Sequence, residues 1–418
     1  MSHVDESASR TAHLMALEER HGAHNFHPLP VMLKRGLGTR VWDMDDKCYF
    51  DHLSAYSAAS MGHGHPRILA ALVDQAAKLS ITSRSFYNDV LGAFQARITE
   101  AFGYDKALPM NSGGEAVETA IKLARRWGYE RKGVPPDHAR VVVCSGNYHG
   151  PTLAILSASS DPEMREGFGP FMPGFDTIPF NDVAALQRAI AHPHVVAFLL
   201  EPLQAEAGMV VPEDGYMTAV QQACRTHNVL LMVDEVQTAL GRTGLWLESW
   251  REGVTPDVVV LGKALGAGLY PISAVLANDD VMLGIKSSGQ HGSTYAGNPL
   301  GCRVAMAALD VVKDEGLDRN ATRQGERFRA RMEELAAHLP LVKEVRGRGL
   351  LNALVLEPSG VESSAWNVCL RLRDNGLLAK PSHGDIIRFS PPLTINDEEM
   401  DESIVLIANT LEEVAAQG

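Results

Sequence analysis

Val229-Leu-Leu-Met-Val-Asp-Glu-Val-Gln237 and Asp257-Val-Val-Val-Leu-Gly-Lys263 decide how this chain folds. In each, a run that is apolar at every position ends in residues with chemistry: Asp234, Glu235 and Gln237 in the first, Lys263 in the second. A run without polar alternation reads as a strand covered on both faces, the habit of mainly parallel sheets. The same pattern recurs outward from these two, at Arg140-Val-Val-Val-Cys144, at Val195-Val-Ala-Phe-Leu-Leu200 with Glu201 behind it, and at Ile272-Ser-Ala-Val-Leu-Ala277. Between the runs lie stretches of helical period, 115–132 with Ala116, Ala120, Leu123 and Trp127 three or four apart, and 216–227. Strand alternating with helix makes the centre α/β. Ligands of open α/β sheets gather at the carboxyl ends of the strands, so the alignment of Glu201, Asp234, Gln237 and Lys263 there carries more weight than any one of them.

The flanks read differently. Residues 30–53 suggest short strands around an acidic turn, residues 341–395 mix strands with helices, and a helical stretch 299–315 stopped by Gly316 joins the centre to the C-terminal part. The expected organisation is residues 1–55 as the N-terminal part of a small α+β domain, 56–300 as a large domain on a mainly parallel seven-stranded-type sheet, and 301–418 as the rest of the small domain. Of the 418 residues 45% are hydrophobic and 21% charged, which suits a globular core and excludes disorder, collagen and coiled coil. A net charge of −13 argues against a nucleic-acid surface. Five cysteines, none spaced C-x-x-C, suggest neither disulfides nor a zinc site. No apolar run approaches a membrane span, and the first 22 residues lack both the apolar core of a secretory signal and the Arg-rich, acid-poor character of a transit peptide, so the expected location is the cytoplasm.

Taken singly, the reactive residues have ordinary readings. Lys263 could be a snorkelling surface lysine, Asp234 a loop carboxylate, and Asn111-Ser-Gly-Gly-Glu115 a plain capping box at a helix start. Ala264 stands where a Walker A loop needs a hydroxyl, and Gly262, Gly266 and Gly268 do not follow the dinucleotide order G-x-G-x-x-G. His63 and His65, or the group His21, His24 and His27, could suggest metal ligands, but the sequence places no further ligand near them, and no metal is expected. Together, a lysine amine, a carboxylate at the end of a buried strand and a glycine-rich helix start are what an aldehyde-bearing pyridine cofactor with a phosphate requires.

The segments Asn111-Ser-Gly-Gly-Glu-Ala-Val-Glu-Thr-Ala120, Val233-Asp-Glu-Val-Gln-Thr-Ala-Leu-Gly-Arg-Thr-Gly244 and Leu261-Gly-Lys-Ala-Leu-Gly-Ala-Gly-Leu-Tyr-Pro271 resemble the class III, fold type I aminotransferases that depend on pyridoxal 5′-phosphate. Leu53-Ser-Ala-Tyr-Ser-Ala58, Gly167-Phe-Gly-Pro-Phe-Met-Pro-Gly-Phe175, the stretch from His291 to Ala305 and Leu372-Arg-Asp-Asn-Gly-Leu-Leu-Ala-Lys-Pro381 narrow the resemblance to the ornithine δ-aminotransferase branch, over about 22–408.

The resemblance implies that Lys263 forms the covalent link to the cofactor and moves the proton, Asp234 pairs with the ring nitrogen, Gln237 bonds the ring hydroxyl, Tyr148 stacks on the ring, and Gly113 and Gly114 cradle the phosphate. It implies that Ser293 and Thr294 reach the phosphate of a neighbouring subunit, hence a homodimer with shared sites, or a higher oligomer. Glu206 and Arg388 match a pair that lets one pocket take two substrates, Arg388 clamping the α-carboxylate of glutamate or 2-oxoglutarate and Glu206 neutralising it when the amine donor enters. Tyr56 matches a pocket tyrosine. Two positions depart from the family: its arginine for the ornithine α-carboxylate falls on Pro151, and its tyrosine at the α-amino end falls on Phe26. The implied reaction moves the terminal amino group of ornithine, or of a related ω-amine, to 2-oxoglutarate, giving glutamate and glutamate 5-semialdehyde, which cyclises to pyrroline-5-carboxylate. Two alternatives are an ω-aminotransferase for an amine without a free α-amino acid end, and a racemase or epimerase on the same fold.

Overall fold

The computed structural model describes residues 2–287 and 289–417. Its centre is a seven-stranded sheet in the order Lys106–Met110, Ser273–Ala277, Val258–Leu261, Leu230–Asp234, Val195–Leu200, Arg140–Cys144, Phe175–Ile178. Six of the seven strands point the same way, five of them in consecutive parallel pairing, and only Ser273–Ala277 opposes both of its neighbours. The mainly parallel sheet is therefore as the apolar runs require, with one exception: 272–277, apolar like the rest, runs antiparallel. Burial on both faces is what that pattern encodes, and a covered antiparallel strand satisfies it equally. The runs at Val195–Leu200, Leu230–Asp234 and Val258–Leu261 are buried throughout. Burying each large aliphatic side chain contributes roughly 1.5–3 kcal/mol, enough for these strands to anchor the core.

The helix Gly113–Trp127 packs across this sheet, and Ser112 with Glu115 closes its N-terminus in the expected capping box. Beyond Trp127 the turn widens into a π-helix over Gly128–Lys132, so the single helical period over 115–132 covers two kinds of helix. The helix Pro299–Asp314 starts on the Asn298 side chain and ends just before Gly316. An expected boundary between residues 300 and 301 thus falls inside this helix, and one continuous apolar core runs from Phe50 through Leu265 and Val304 to Val414.

Both ends of the chain build the smaller sheets. Leu33–Leu37, Arg40–Asp43 and Cys48–Asp51 form an antiparallel set to which Leu377–Leu378 adds in parallel. Val342–Arg348, Leu351–Leu356, Ile386–Phe389 and Lys380–Pro381 form the other, antiparallel throughout. No helix among the described residues is long and apolar enough to cross a membrane.

Helix Leu317–Ala336 meets the turn between Val342–Arg348 and Leu351–Leu356 at Gly325, where a Cβ would overlap the carbonyl oxygen of Gly349. That oxygen already accepts from Arg329 Nη1 at 3.0 Å and Asn352 Nδ2 at 3.1 Å, so it is not free to move. Gly325→Ala should therefore destabilise the fold by about 2–3 kcal/mol through overpacking, read as a lowered thermal midpoint against the wild type. An unchanged midpoint would mean that the helix and turn separate at little cost.

Candidate active site

Four loops at the carboxyl ends of adjacent strands converge. Asp234 is the last residue of Leu230–Asp234, Glu201 follows Val195–Leu200, Lys263 begins a short 3₁₀ turn after Val258–Leu261, and the turn Ser145–Pro151 follows Arg140–Cys144. Lys263 has φ +40°, a left-handed value uncommon for a residue with a side chain. A cavity of about 190 Å³ opens among them, lined by Gly113, Gly114, Tyr148, Pro151, Asp234, Gln237 and Lys263, so seven residues singled out from the sequence meet around one space.

The polar groups of this space are ordered. Asp234, 5% exposed, accepts from His149 Nδ1 at 2.7 Å on Oδ2 and from the Val236 N–H at 3.1 Å on Oδ1. Burial works against charge on His149, but the hydrogen bond and negative charge of Asp234 outweigh it and raise the imidazole pKa. Glu201 accepts the Tyr148 N–H at 2.9 Å, and burial pushes its carboxyl up to about 8. Lys263 moves the other way: burial first, and the positive charge of Arg388 second, bring its ammonium down to about 8.

Arg388, on Ile386–Phe389, is fully buried, and burial lowers its pKa. Its Nη1 donates to Glu206 Oε1 at 3.0 Å, its Nη2 to Ser57 Oγ at 3.2 Å and its Nε to Ser390 Oγ at 3.2 Å. Glu206 Oε1 also accepts from Gln237 Nε2 at 2.9 Å, joining the ion pair to the cavity. The Tyr56 ring centroid lies 5.3 Å from the guanidinium carbon of Arg388. Phe26, 68% exposed, instead lines a second cavity of about 490 Å³ that Tyr56 shares. Pro151 and Phe26, the two positions that depart from the family, are thus parts of different walls. Ser293 Oγ accepts from Asn111 Nδ2 at 2.8 Å, beside the helix start, while Thr294 is exposed and lines neither cavity.

His149, Ser57 and Ser390 escaped the sequence reading. His149 adjoins Tyr148 in Gly146-Asn-Tyr-His-Gly150, but only the turn after the strand aims it at Asp234; the two serines carry no signal.

The model of the class-III aminotransferases matches residues 21–411. The chain belongs to this family. The rat mitochondrial ornithine aminotransferase is 53% identical over 408 residues, spanning 98% of this chain and 92% of that one, and the mitochondrial ornithine aminotransferase of Drosophila melanogaster is 54% identical over 405 residues, 97% and 93%. Among solved structures, the ornithine aminotransferase of Toxoplasma gondii ME49 superposes with a TM-score of 0.95 at 44% identity, covering 98% and 96% of the two chains. The acetylornithine aminotransferase of Elizabethkingia anophelis superposes with a TM-score of 0.88 at 49% identity, covering 96% and 99%. Class-III aminotransferases use pyridoxal 5′-phosphate, and a further T. gondii structure is described with that cofactor at its active site. The cavity fits this group. Two buried polar atoms beside it, His149 Nε2 and Gln237 Oε1, have no hydrogen-bond partner among the described residues, the helix start at Gly113–Gly114 offers the donors an anion needs, and a buried amine and a buried carboxylate line the same space.

Because the Lys263 pKa is lowered, its neutral, nucleophilic form predominates above about pH 8. In cofactor-free protein, capture of a small aldehyde by Lys263, trapped with borohydride and read by peptide mass spectrometry, should rise about tenfold from pH 7 to 9 and then level off, whereas an ordinary lysine keeps rising to about pH 10. A profile without the plateau would deny the depressed pKa.

Proposed function

We propose that this class-III aminotransferase moves the terminal amino group of ornithine, or of a related ω-amine, to 2-oxoglutarate, giving glutamate and, from ornithine, glutamate 5-semialdehyde and its cyclised form pyrroline-5-carboxylate. The observation that carries this reading is the Arg388–Glu206 pair at 3.0 Å, tied through Gln237 to the cavity of Lys263. The names of the most similar relatives point the same way.

Pyridoxal 5′-phosphate supplies an aldehyde to hold the amine and a pyridine ring that draws electrons from the carbon beside it. The chain does the rest. Lys263 would hold the cofactor through its amine and, once the donor amine has displaced it, Nζ, kept available as a base by the lowered pKa of its ammonium, would take the proton from the carbon bearing the transferred amine and return it. Asp234, held by His149, would supply the counter-charge that the ring nitrogen needs, and Gln237 would bond the ring hydroxyl. Tyr148 would stack on the ring, and Gly113 and Gly114 would take the phosphate. Arg388 stays covered by Glu206 while the amine donor is bound, then releases Glu206 and grips the α-carboxylate of 2-oxoglutarate, and Tyr56 walls this end. A homodimer is the active unit, with Ser293 and Thr294 serving the neighbouring site; the exposure of Thr294 supports this. The same reading divides the chain into a large domain over about 56–300 and a small one from 1–55 and 301–418, with the C-terminal boundary inside the helix Pro299–Asp314 that joins them.

Arg388→Ala should raise KM for 2-oxoglutarate at least about tenfold while the amine-donor half-reaction changes little, because only the dicarboxylate needs the exposed guanidinium. Glu206→Ala should do the reverse. Equal loss in both half-reactions would make the pair structural, and product formed without any amino acceptor would point to a racemase or epimerase instead.

Pro151 has no donor and Phe26 no hydroxyl, so each of the two walls on which the family offers an α-amino acid a polar group lacks it here. Ornithine should therefore show a high KM, with Nα-acylated or α-unsubstituted ω-amines used relatively better. Phe26→Tyr with Pro151→Arg should raise kcat/KM for ornithine by about tenfold or more, measured on a panel of donors with 2-oxoglutarate. Ornithine already preferred over every other donor would contradict this.

A further inference from the structure

Lys380 has a place in the site that the Proposed function leaves unused. It opens the strand Lys380–Pro381, which pairs antiparallel with Ile386–Phe389 so that Lys380 stands opposite Arg388 in the register. Two residues on, the Ser382 hydroxyl donates to the backbone oxygen of Glu206 at 2.9 Å, which fixes this strand against the loop carrying the carboxylate partner of Arg388. Directly paired residues of an antiparallel ladder project to the same face, so two cations share one face of the sheet. One is neutralised by Glu206. The other, Lys380, is half-buried, has no acidic partner for its ammonium among the described residues, and sits 6.0 Å from the Phe26 ring centroid.

The cavity of about 490 Å³ is lined by Lys380, Tyr56 and Phe26 together with apolar Leu29, Val31 and Leu53, and the Tyr56 ring centroid lies 5.3 Å from the guanidinium carbon of Arg388. Its remaining charged groups are committed or peripheral. Asp51 accepts from His63 Nε2 at 2.7 Å and from the N–H groups of Leu53 and Ser54, and Glu18 is exposed at the rim. A half-buried ammonium facing an apolar chamber is an incomplete pair, and burial already lowers its pKa. What completes it is a carboxylate carried on an apolar spacer.

We propose that Lys380 determines specificity for the amine donor by pairing with a carboxylate at the end opposite the transferred amino group. This rests on the transaminase reading and names the donor class: ω-amino carboxylates, with their methylenes against Leu29, Val31 and Leu53 and their carboxylate at Lys380 while Arg388 remains covered by Glu206.

The test compares 5-aminopentanoate with pentylamine, which differ by a methyl in place of the carboxylate, in the donor half-reaction of the holoenzyme. Lys380→Met should lower the ratio of their kcat/KM values by about tenfold or more, mainly through KM for 5-aminopentanoate, and Lys380→Arg should restore most of it. In parallel, calorimetric binding of pentanoate should weaken by a similar factor in Lys380→Met, or in Lys380→Gln should the Met variant fail to fold. A ratio unchanged in folded Lys380→Met, or pentanoate binding unaltered, overturns the proposal. Failure of the transaminase reading looks different: no donor then passes its amino group to 2-oxoglutarate in the wild type.

Discussion

The guanidinium of Arg242 is fully buried and holds three distant stretches of the chain at one point. Its Nη1 donates to the carbonyl oxygens of Leu350 at 2.9 Å and Pro391 at 2.6 Å, and its Nη2 to Ser60 Oγ at 2.9 Å. A buried cation without acceptors is strongly unfavourable, so these partners are obligatory, and burial still brings its pKa down to about 9. Ser60 follows the turn carrying Tyr56 and Ser57, Pro391 follows the strand carrying Arg388, and Arg242 itself follows Asp234 and Gln237. One constraint thus sets the N-terminal turn, the central sheet and the C-terminal strand in a single frame, and the site lies where the three meet.

Within that frame the charges are arranged in opposition. Lys263, Arg388 and Arg242 crowd positive charge into a dry region, and each has its pKa lowered by burial. Glu206 and Asp234 face them, Asp234 held by His149, while burial pushes the carboxyl of Glu201 beside them up to about 8. In such a region a carboxylate that moves by one hydrogen bond changes which cation is exposed, because Coulomb energies are large where water is excluded. That is the physical basis for a single pocket treating an amine and a dicarboxylate in turn.

Much of this was legible from single stretches. Glu201, Asp234 and Lys263 each follow an all-apolar run, and a run of that kind has few places to go other than the middle of a covered sheet, so their common edge followed from local pattern alone. The capping box at Ser112 and Glu115 is equally local, needing only residues three apart. The strands Lys106–Met110 and Phe175–Ile178 were not among the runs recognised, because Pro109 interrupts the first and Asp176 and Thr177 make the second partly polar. The antiparallel direction of Ser273–Ala277 was hidden for a related reason: side-chain burial says nothing of strand direction.

The amino-acid sequence by itself determined the α/β class, the covered strands, the residues at their ends and the family to which the chain belongs. Each of these depends on apolar periodicity and on contiguous motifs. Only the tertiary structure decided that His149 supports Asp234, that Arg242 ties Ser60 to Leu350 and Pro391, that Phe26 and Pro151 stand on different walls, and that Lys380 lines a largely apolar chamber with no acidic partner for its ammonium among the described residues. The reason is sequence separation: Asp234 lies 85 residues from His149, and Glu206 lies 182 from Arg388. Contacts of that span leave no local pattern, and they form only when the packing of the whole core brings their strands side by side.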